Sequence, residues 1–156
     1  MRGEAGMGFG EAIRTCYRGF ATFRGRAARA EYWWFQLFAS LVWIVAAAGA
    51  IALWFSAFPD GASPADDPAI DPGSVHLAPL TLAWGIVLAF VVAVGVPVLA
   101  VTARRLHDLG MSAWWLLLAP VGLSIVLHVL ALLRGNEGAN RFGPDPRIVH
   151  AVRAAP

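Results

Sequence analysis

Long apolar runs separated by short polar links organise this chain. Tyr32–Phe58 and Leu77–Ala103 are each 27 residues without one charge, and Ala113–Leu133 is a third run of 21. As helices the first two would extend about 40 Å, more than the roughly 30 Å hydrocarbon core of a bilayer. They are expected to cross with tilt or protruding ends. Tyr32, Trp33 and Trp34 mark one end of the first run, and Trp54, Phe55 and Phe58 the other. Such aromatic belts sit at the two membrane–water interfaces. Gly95 and Pro97 predict a kink in the second run. Pro120 and Gly122 interrupt the third.

Ahead of these runs, Phe9, Ile13, Cys16, Phe20 and Phe23 recur at helical spacings of four, three, four and three. The pattern predicts a short amphipathic helix, lying at the membrane interface or packed on the protein's own loops. A charged hinge, Arg24–Glu31, follows. Pro59–His76 holds four Asp, four Pro and no Arg, which predicts an irregular acidic loop. Residues 104–112 read as a short polar link, with Ser112 a candidate cap for the third run. From Arg134 to Pro146, Gly, Pro and Asn density predicts turns.

Composition narrows the class. Of 156 residues, 58% are hydrophobic and 14% charged, with mean hydropathy +0.62. An ordinary soluble domain carries about a quarter charged residues. A chain this short could not hide so much apolar surface in one water-facing core. The fold class expected is all-α and integral to a membrane, an interfacial helix followed by three crossing helices. The first 31 residues lack the apolar core of a signal peptide, so insertion is expected to rest on the apolar runs.

All 12 basic residues are Arg, against 10 acidic ones. They flank the apolar runs, so anionic lipid headgroups rather than nucleic acid are the expected partner. Six Arg precede the first run, none lies in the acidic loop, and Arg104 and Arg105 follow the second. The positive-inside rule then places the N-terminus and the Arg104 link in the cytoplasm. Three crossings would put Arg134, Arg141, Arg147 and Arg153 outside; a re-entrant hairpin at Pro120–Gly122 would keep them inside. Length favours the crossing, because two arms of about ten residues each reach only half-way.

Three ordered blocks carry a family resemblance. They are Phe23–Trp33 (FRGRAARAEYW), Arg104–Asp108 with Ser112–Trp115 (RRLHD and SAWW), and Gly135 and Gly138 with Asn140–Pro146 (NRFGPDP). Together they resemble the DUF805 family of small bacterial inner-membrane proteins. The resemblance implies a polytopic protein of the bacterial cytoplasmic membrane and no established activity. It carries over no catalytic residue.

Candidate sites follow from charge near lipid. Arg24, Arg26, Arg29, Arg104 and Arg105 form an arginine shelf that can hold lipid phosphates or set orientation. A sharper reading pairs Arg26 or Arg105 with Glu31 or Asp108. Glu31, His107 and Asp108 are the only set from which acid–base chemistry could be assembled, but adjacent helical residues point about 100° apart. His107 snorkelling at the headgroups and Asp108 capping or salt-bridging is the plainer expectation. Ser124 and His128 lie one helical turn apart inside the third run, where a helix–helix hydrogen bond is expected. The tail Asn140–Pro146, with Asn140, Arg141 and Phe142 its leading residues, is expected to dock as a structural cap, a partner-binding epitope being the alternative. The single Cys16 excludes an intramolecular disulfide and a thiolate metal cluster. Phosphate-loop, zinc-helix and nucleophile-elbow motifs are absent. Asp66, Asp67 and Asp71 lack calcium-loop spacing. No metal and no cofactor is expected. The functional expectation is a non-enzymatic membrane module that binds lipid or a partner. A small transport or channel component is the alternative and a membrane-embedded enzyme the third. Small residues such as Ala46, Gly49 and Ala50 leave self-association or a membrane-protein partner open.

Overall fold

The computed structural model describes residues 7–58 and 75–154. Its elements are all helical. In chain order they are α1 (Phe9–Arg18), α2 (Arg29–Ser56), α3 (Leu77–Phe90), a π-helical turn (Val91–Gly95) and α4 (Val96–Asp108). A 3-10 turn (Ala113–Leu118), α5 (Ser124–Leu132) and α6 (Pro146–Ala154) complete the set. The acidic loop and the first six residues lie outside the described residues.

Among the described residues two helices are long and apolar enough to cross a membrane: Arg29–Ser56, of 28 residues, and Leu77–Asp108, of 32. The second combines α3, the π turn and α4. Pro97 has no N–H to offer the carbonyl four residues back. The ladder widens to π register over Val91–Gly95, just upstream, where the kink was expected. Many apolar side chains on these helices, among them Ile44, Val45, Trp84 and Leu88, are exposed. In water such a surface would drive aggregation; in a bilayer it is the lipid-facing surface.

The chain divides into two compact units. One is Ala39–Gly95, whose described residues include the later part of α2, α3 and the π turn. There Trp43 meets Phe90 at a ring-centroid distance of 5.0 Å, and Trp54 meets Phe58 at 5.6 Å. Polar side chains in this unit bond back to their own helix: Ser56 Oγ donates to Leu53 O and Thr81 Oγ1 to Ala78 O, both at 2.9 Å. Such local bonds satisfy hydroxyls that lipid cannot.

The other unit joins residues up to Phe38 with those from Val96 onward. Its core gathers Cys16, Ala27, Tyr32, Phe35, Val101 and Ala131. α1 contributes Ala12 and Cys16 to the interior and leaves Phe9 and Tyr17 exposed; it ends at Arg18, so Phe20 and Phe23, expected on the same helical stripe, lie exposed in the stretch that follows it. Tyr17 packs edge-on against Phe35 and Phe38, and Phe9 against Trp34. Thus α1 packs on its own protein and still presents aromatic surface outward.

The third apolar run departs from the single crossing expected of it. Its first third is a 3-10 turn, residues 119–123 turn with Gly122 at φ +81°, and only nine residues form α5. Nine residues extend about 14 Å as a helix, roughly half a hydrocarbon core. The break falls on Pro120 and Gly122, whose local geometry outweighs the favourable length of the run. Leu123 N closes the turn on Leu118 O at 2.9 Å. A second departure is α6, a helix where only turns were expected; the turns themselves occupy the stretch before Pro146.

Candidate functional site

Helix ends make the site. The last carbonyls of a helix have no partner within it, and at a membrane interface they must find one. The end of α5 meets guanidiniums that supply the missing donors, and the end of α4 meets backbone N–H groups and the Asn140 amide. Positive charge there also complements the negative end of each helix dipole.

Asp108 is the centre. Arg26 Nε donates to its Oδ1 at 2.9 Å, with Nη2 at 2.8 Å from the same oxygen. Arg105 Nη1 bonds its other oxygen, Oδ2. One carboxylate is thus shared by two buried guanidiniums. Their other donors close onto backbone. Arg26 Nη1 bonds the carbonyls of Gly138 and Gly143, and its Nη2 that of Asn136. Arg105 Nε reaches Ala131 O at 3.3 Å, and its Nη2 bonds Leu133 O. Arg29 Nε donates to Leu133 O as well, at 2.9 Å. The backbone completes the clasp: Asn136 N donates to Asp108 O at 2.9 Å and Ala27 N to Arg104 O at 3.1 Å. Gly135 lies so near Asp108 that a Cβ would overlap the carboxylate.

Beside it lies a second buried set. Arg104 Nη1 donates to Glu31 Oε1 at 2.7 Å, and Cys16 Sγ donates to the same oxygen at 3.7 Å. Glu31 stands in the first turn of α2, where a carboxylate also meets the positive helix end. Burial, and the neighbouring Glu31 charge, push the Cys16 thiol up to about 12. It is therefore an inert neutral thiol rather than a nucleophile.

The tail docks on the same end. Asn140 Nδ2 donates to His107 O at 2.9 Å, and its Oδ1 accepts from Phe142 N at 2.9 Å. Phe142 stacks on the His107 ring, centroids 4.0 Å apart and planes 7° apart. Arg141 lies over the other ring, its Cζ 4.7 Å from the Phe142 centroid. Its Nη2 also donates to Gly110 O at 3.1 Å. Buried Asp145 accepts from Gly138 N at 3.2 Å and from Arg147 N at 3.0 Å. Arg147 Nη2 pairs with it at 2.6 Å and also reaches Asn136 O at 3.2 Å.

The Arg147 hydrogen bonds hold the Asp145 carboxyl down at about 2, against an ordinary 3.8. A depressed carboxylate pKa stabilises the fold above the unfolded value and loses that contribution as pH falls through the folded one. Asp145→Asn keeps a capping oxygen but removes the charge facing Arg147, and is therefore expected to cost about 1–2 kcal/mol near neutral pH. The difference from the parent protein should shrink below pH 3.8 and vanish near pH 2 in detergent melting curves. A gap that stayed constant with pH would contradict the assignment.

The structure places the expected residues as follows. Arg26 and Arg105 both meet Asp108, whereas Glu31 takes Arg104, a pairing outside the one expected. Arg24 and Arg29 are exposed. His107 does not snorkel: it is buried, its Nδ1 3.2 Å from Gly25 O and its ring under Phe142. Nor is it oriented by Asp108, whose oxygens face Arg26 and Arg105. Residues 104–108 are the last turn of α4 rather than a link, so the helix itself carries these charges inward. Ser112 caps the 3-10 turn, its Oγ accepting from Trp114 N at 3.4 Å. His128 Nδ1 lies 2.8 Å from the backbone oxygen of Ser124, within one helix, and its ring meets those of Tyr32 and Trp33. Among the described residues no group of His, Cys, Asp and Glu is placed to hold a metal ion. Sequence reasoning missed Cys16, Gly135 and Arg147 as parts of this end. Only the proximity of Gly135 to a buried carboxylate would explain why glycine is needed there, and that is a tertiary fact.

Apolar helices of bilayer-spanning length, tied at one end by buried ion pairs, define a helical integral membrane protein. Residues 20–144 match the family described as "Protein of unknown function (DUF805)", and the chain belongs to that family. It is similar to "Inner membrane protein YhaH" of Escherichia coli (strain K12), 33% identical over 134 residues, 84% of this chain and 92% of the relative. "Inner membrane protein YhaI" of the same strain is 30% identical over 135 residues, 83% of this chain and 90% of the relative. No solved structure matches the chain.

Proposed function

We propose that the protein is a multi-pass, non-enzymatic module of the bacterial inner membrane that binds anionic lipid headgroups, with both its N-terminal segment and its tail on the cytoplasmic side. The observation that carries this is the internal pairing of the buried charges. Arg26, Arg104, Arg105, Glu31 and Asp108 are engaged with one another and with helix-end carbonyls. A catalytic site would need a base or nucleophile left facing substrate; here the described candidates hold the fold. Arg14, Arg18, Arg24 and Arg29 are exposed on the same unit, beside exposed aromatics of α1. Guanidiniums at headgroup level each contribute on the order of 1 kcal/mol toward an anionic leaflet.

The orientation rests on the same clasp. Asp108 ends one long helix and Arg26 precedes the other, so the two joined ends share a side. The tail bonds both, so α5 returns to that side, and all 12 Arg then lie where the positive-inside rule prefers them. A bend at depth must be covered by protein; the Pro120–Gly122 turn would be met by the long helices or a partner.

The test is lipid retention. Arg18→Gln/Arg24→Gln protein, purified in mild detergent, is expected to co-purify with several-fold less phosphatidylglycerol and cardiolipin at unchanged melting temperature, both side chains being exposed. Unchanged lipid content by mass spectrometry would refute the binding role.

A further inference from the structure

We propose that α6 is a membrane-surface anchor, lying on the anionic leaflet with Ile148, Val149 and Val152 among the acyl chains. The proposal rests on the cytoplasmic placement of the tail argued above and adds a segment that the resemblance blocks, which end at Pro146, do not include.

The start of α6 is fixed. Asp145 O accepts from Ile148 N at 3.1 Å and from Val149 N at 3.2 Å, and Arg147 ties the first turn to Asn136 O. Asn136 is itself bonded to the backbone of Asp108, the end of a bilayer-length helix. The helix thus begins one residue contact away from where a crossing helix leaves the membrane. From there its apolar side chains stay open to the surroundings to different degrees: Ile148 is 59% exposed, Val149 39% and Val152 72%. These three fall within about 100° of one another on a helical projection. A single apolar stripe on so short a helix gains nothing from water and needs a cover.

Charge selects the cover. Along Pro146–Ala154 the sequence places Arg147, His150 and Arg153 and no acidic residue. A short amphipathic helix with a basic polar side and an apolar stripe is the composition of helices that lie in anionic interfaces. A second protein copy would bring the same basic helix against itself, and like charge would oppose that pairing.

The test uses the full protein carrying Val152→Cys labelled with an environment-sensitive NBD dye. Cys16, buried and held as a thiol, is not labelled under native conditions. In nanodiscs containing phosphatidylglycerol the dye emission is expected to rise about threefold over phosphatidylcholine discs, with strong quenching by spin-labelled lipid. Adding Ile148→Asp should remove both effects, while trypsin resistance of the docked segment before Pro146 shows that the fold persists. Three results would overturn the proposal: no lipid quenching in either disc, equal quenching in both, or dye burial that follows the number of protein copies per disc. If any of these occurred while the tail still proved cytoplasmic and Arg18→Gln/Arg24→Gln still released lipid, the anchor would fall and the functional reading would stand.

Discussion

Asp108→Asn is expected to destabilise the protein by about 3–5 kcal/mol, the largest effect of any single polar substitution considered. Asp108 is the one carboxylate facing both Arg26 and Arg105. The asparagine oxygen can still accept from one guanidinium while its NH2 donors face the other, so two buried positive charges lose their counter-charge, and an uncompensated buried charge costs more than a lost hydrogen bond. Arg26→Met should cost less, because Arg105 still neutralises Asp108 and the methionine fills part of the vacated space. Thermal melting in one detergent ranks the two variants. Equal stability of the Asp108→Asn and parent proteins would show that the clasp is not what holds this end together. The comparison with Arg26→Met matters because buried ion pairs can sometimes be exchanged for apolar groups at little cost; a lone missing partner is the severe case.

Gly135→Ala is expected to be nearly as damaging despite adding one methyl group. The new Cβ would occupy the space of the Asp108 carboxylate. Neither side can yield cheaply: Asp108 is held by two arginines, and the backbone at Gly135 is held by the Asn136 N–H to Asp108 O bond. Overpacking of this kind costs about 1–3 kcal/mol, and here it also breaks the ion pairs. The expected readout is trypsin cleavage at Arg134 and Arg141 at least tenfold faster than in the parent, since the tail must lift for the alanine to fit. Gly49→Ala is the control. A Cβ there meets nothing within 4 Å, and alanine is the better helix former. Equal cleavage rates in the Gly135→Ala and parent proteins would contradict the packing described.

Much of this architecture is legible in the residues because lipid imposes a length and an absence of charge. Tyr32–Phe58 and Leu77–Ala103 satisfy both; α2 covers the first as far as Ser56, and α3, the π turn and α4 cover the second. The charged end is half legible. Arg26, Arg105 and Asp108 stand in the short polar stretches flanking those runs, so their convergence follows once the stretches share a side. That Glu31 takes Arg104 rather than Arg105 is not legible, since adjacent residues on α4 differ by about 100° and the rotation of α4 is set by Val101 packing in the core. His107 shows the same limit: its fate depends on Phe142, some thirty residues later. The third run is where two signals conflict. Its length favours a crossing, while Pro120 and Gly122 favour a break, and local backbone geometry prevails. Cys16 reads as one position of an apolar stripe; only the folded chain shows it bonded to Glu31. The α6 helix is too short for its periodicity to stand out from the turn-rich stretch before it.

The clasp at Asp108 and the return of the tail are one claim, and the side of the membrane reached by the C-terminus tests it most directly. Green fluorescent protein and alkaline phosphatase are to be fused in turn after Pro156 and before Met1 in bacterial cells. The account predicts bright fluorescence and inactive phosphatase at both ends, because Arg26, Asp108 and Asn136 are bonded to one another on a single side. An active phosphatase at the C-terminal fusion, with fluorescence kept at the N-terminal one, would mean that Ala113–Leu133 crosses the bilayer and that the clasp does not exist in the membrane.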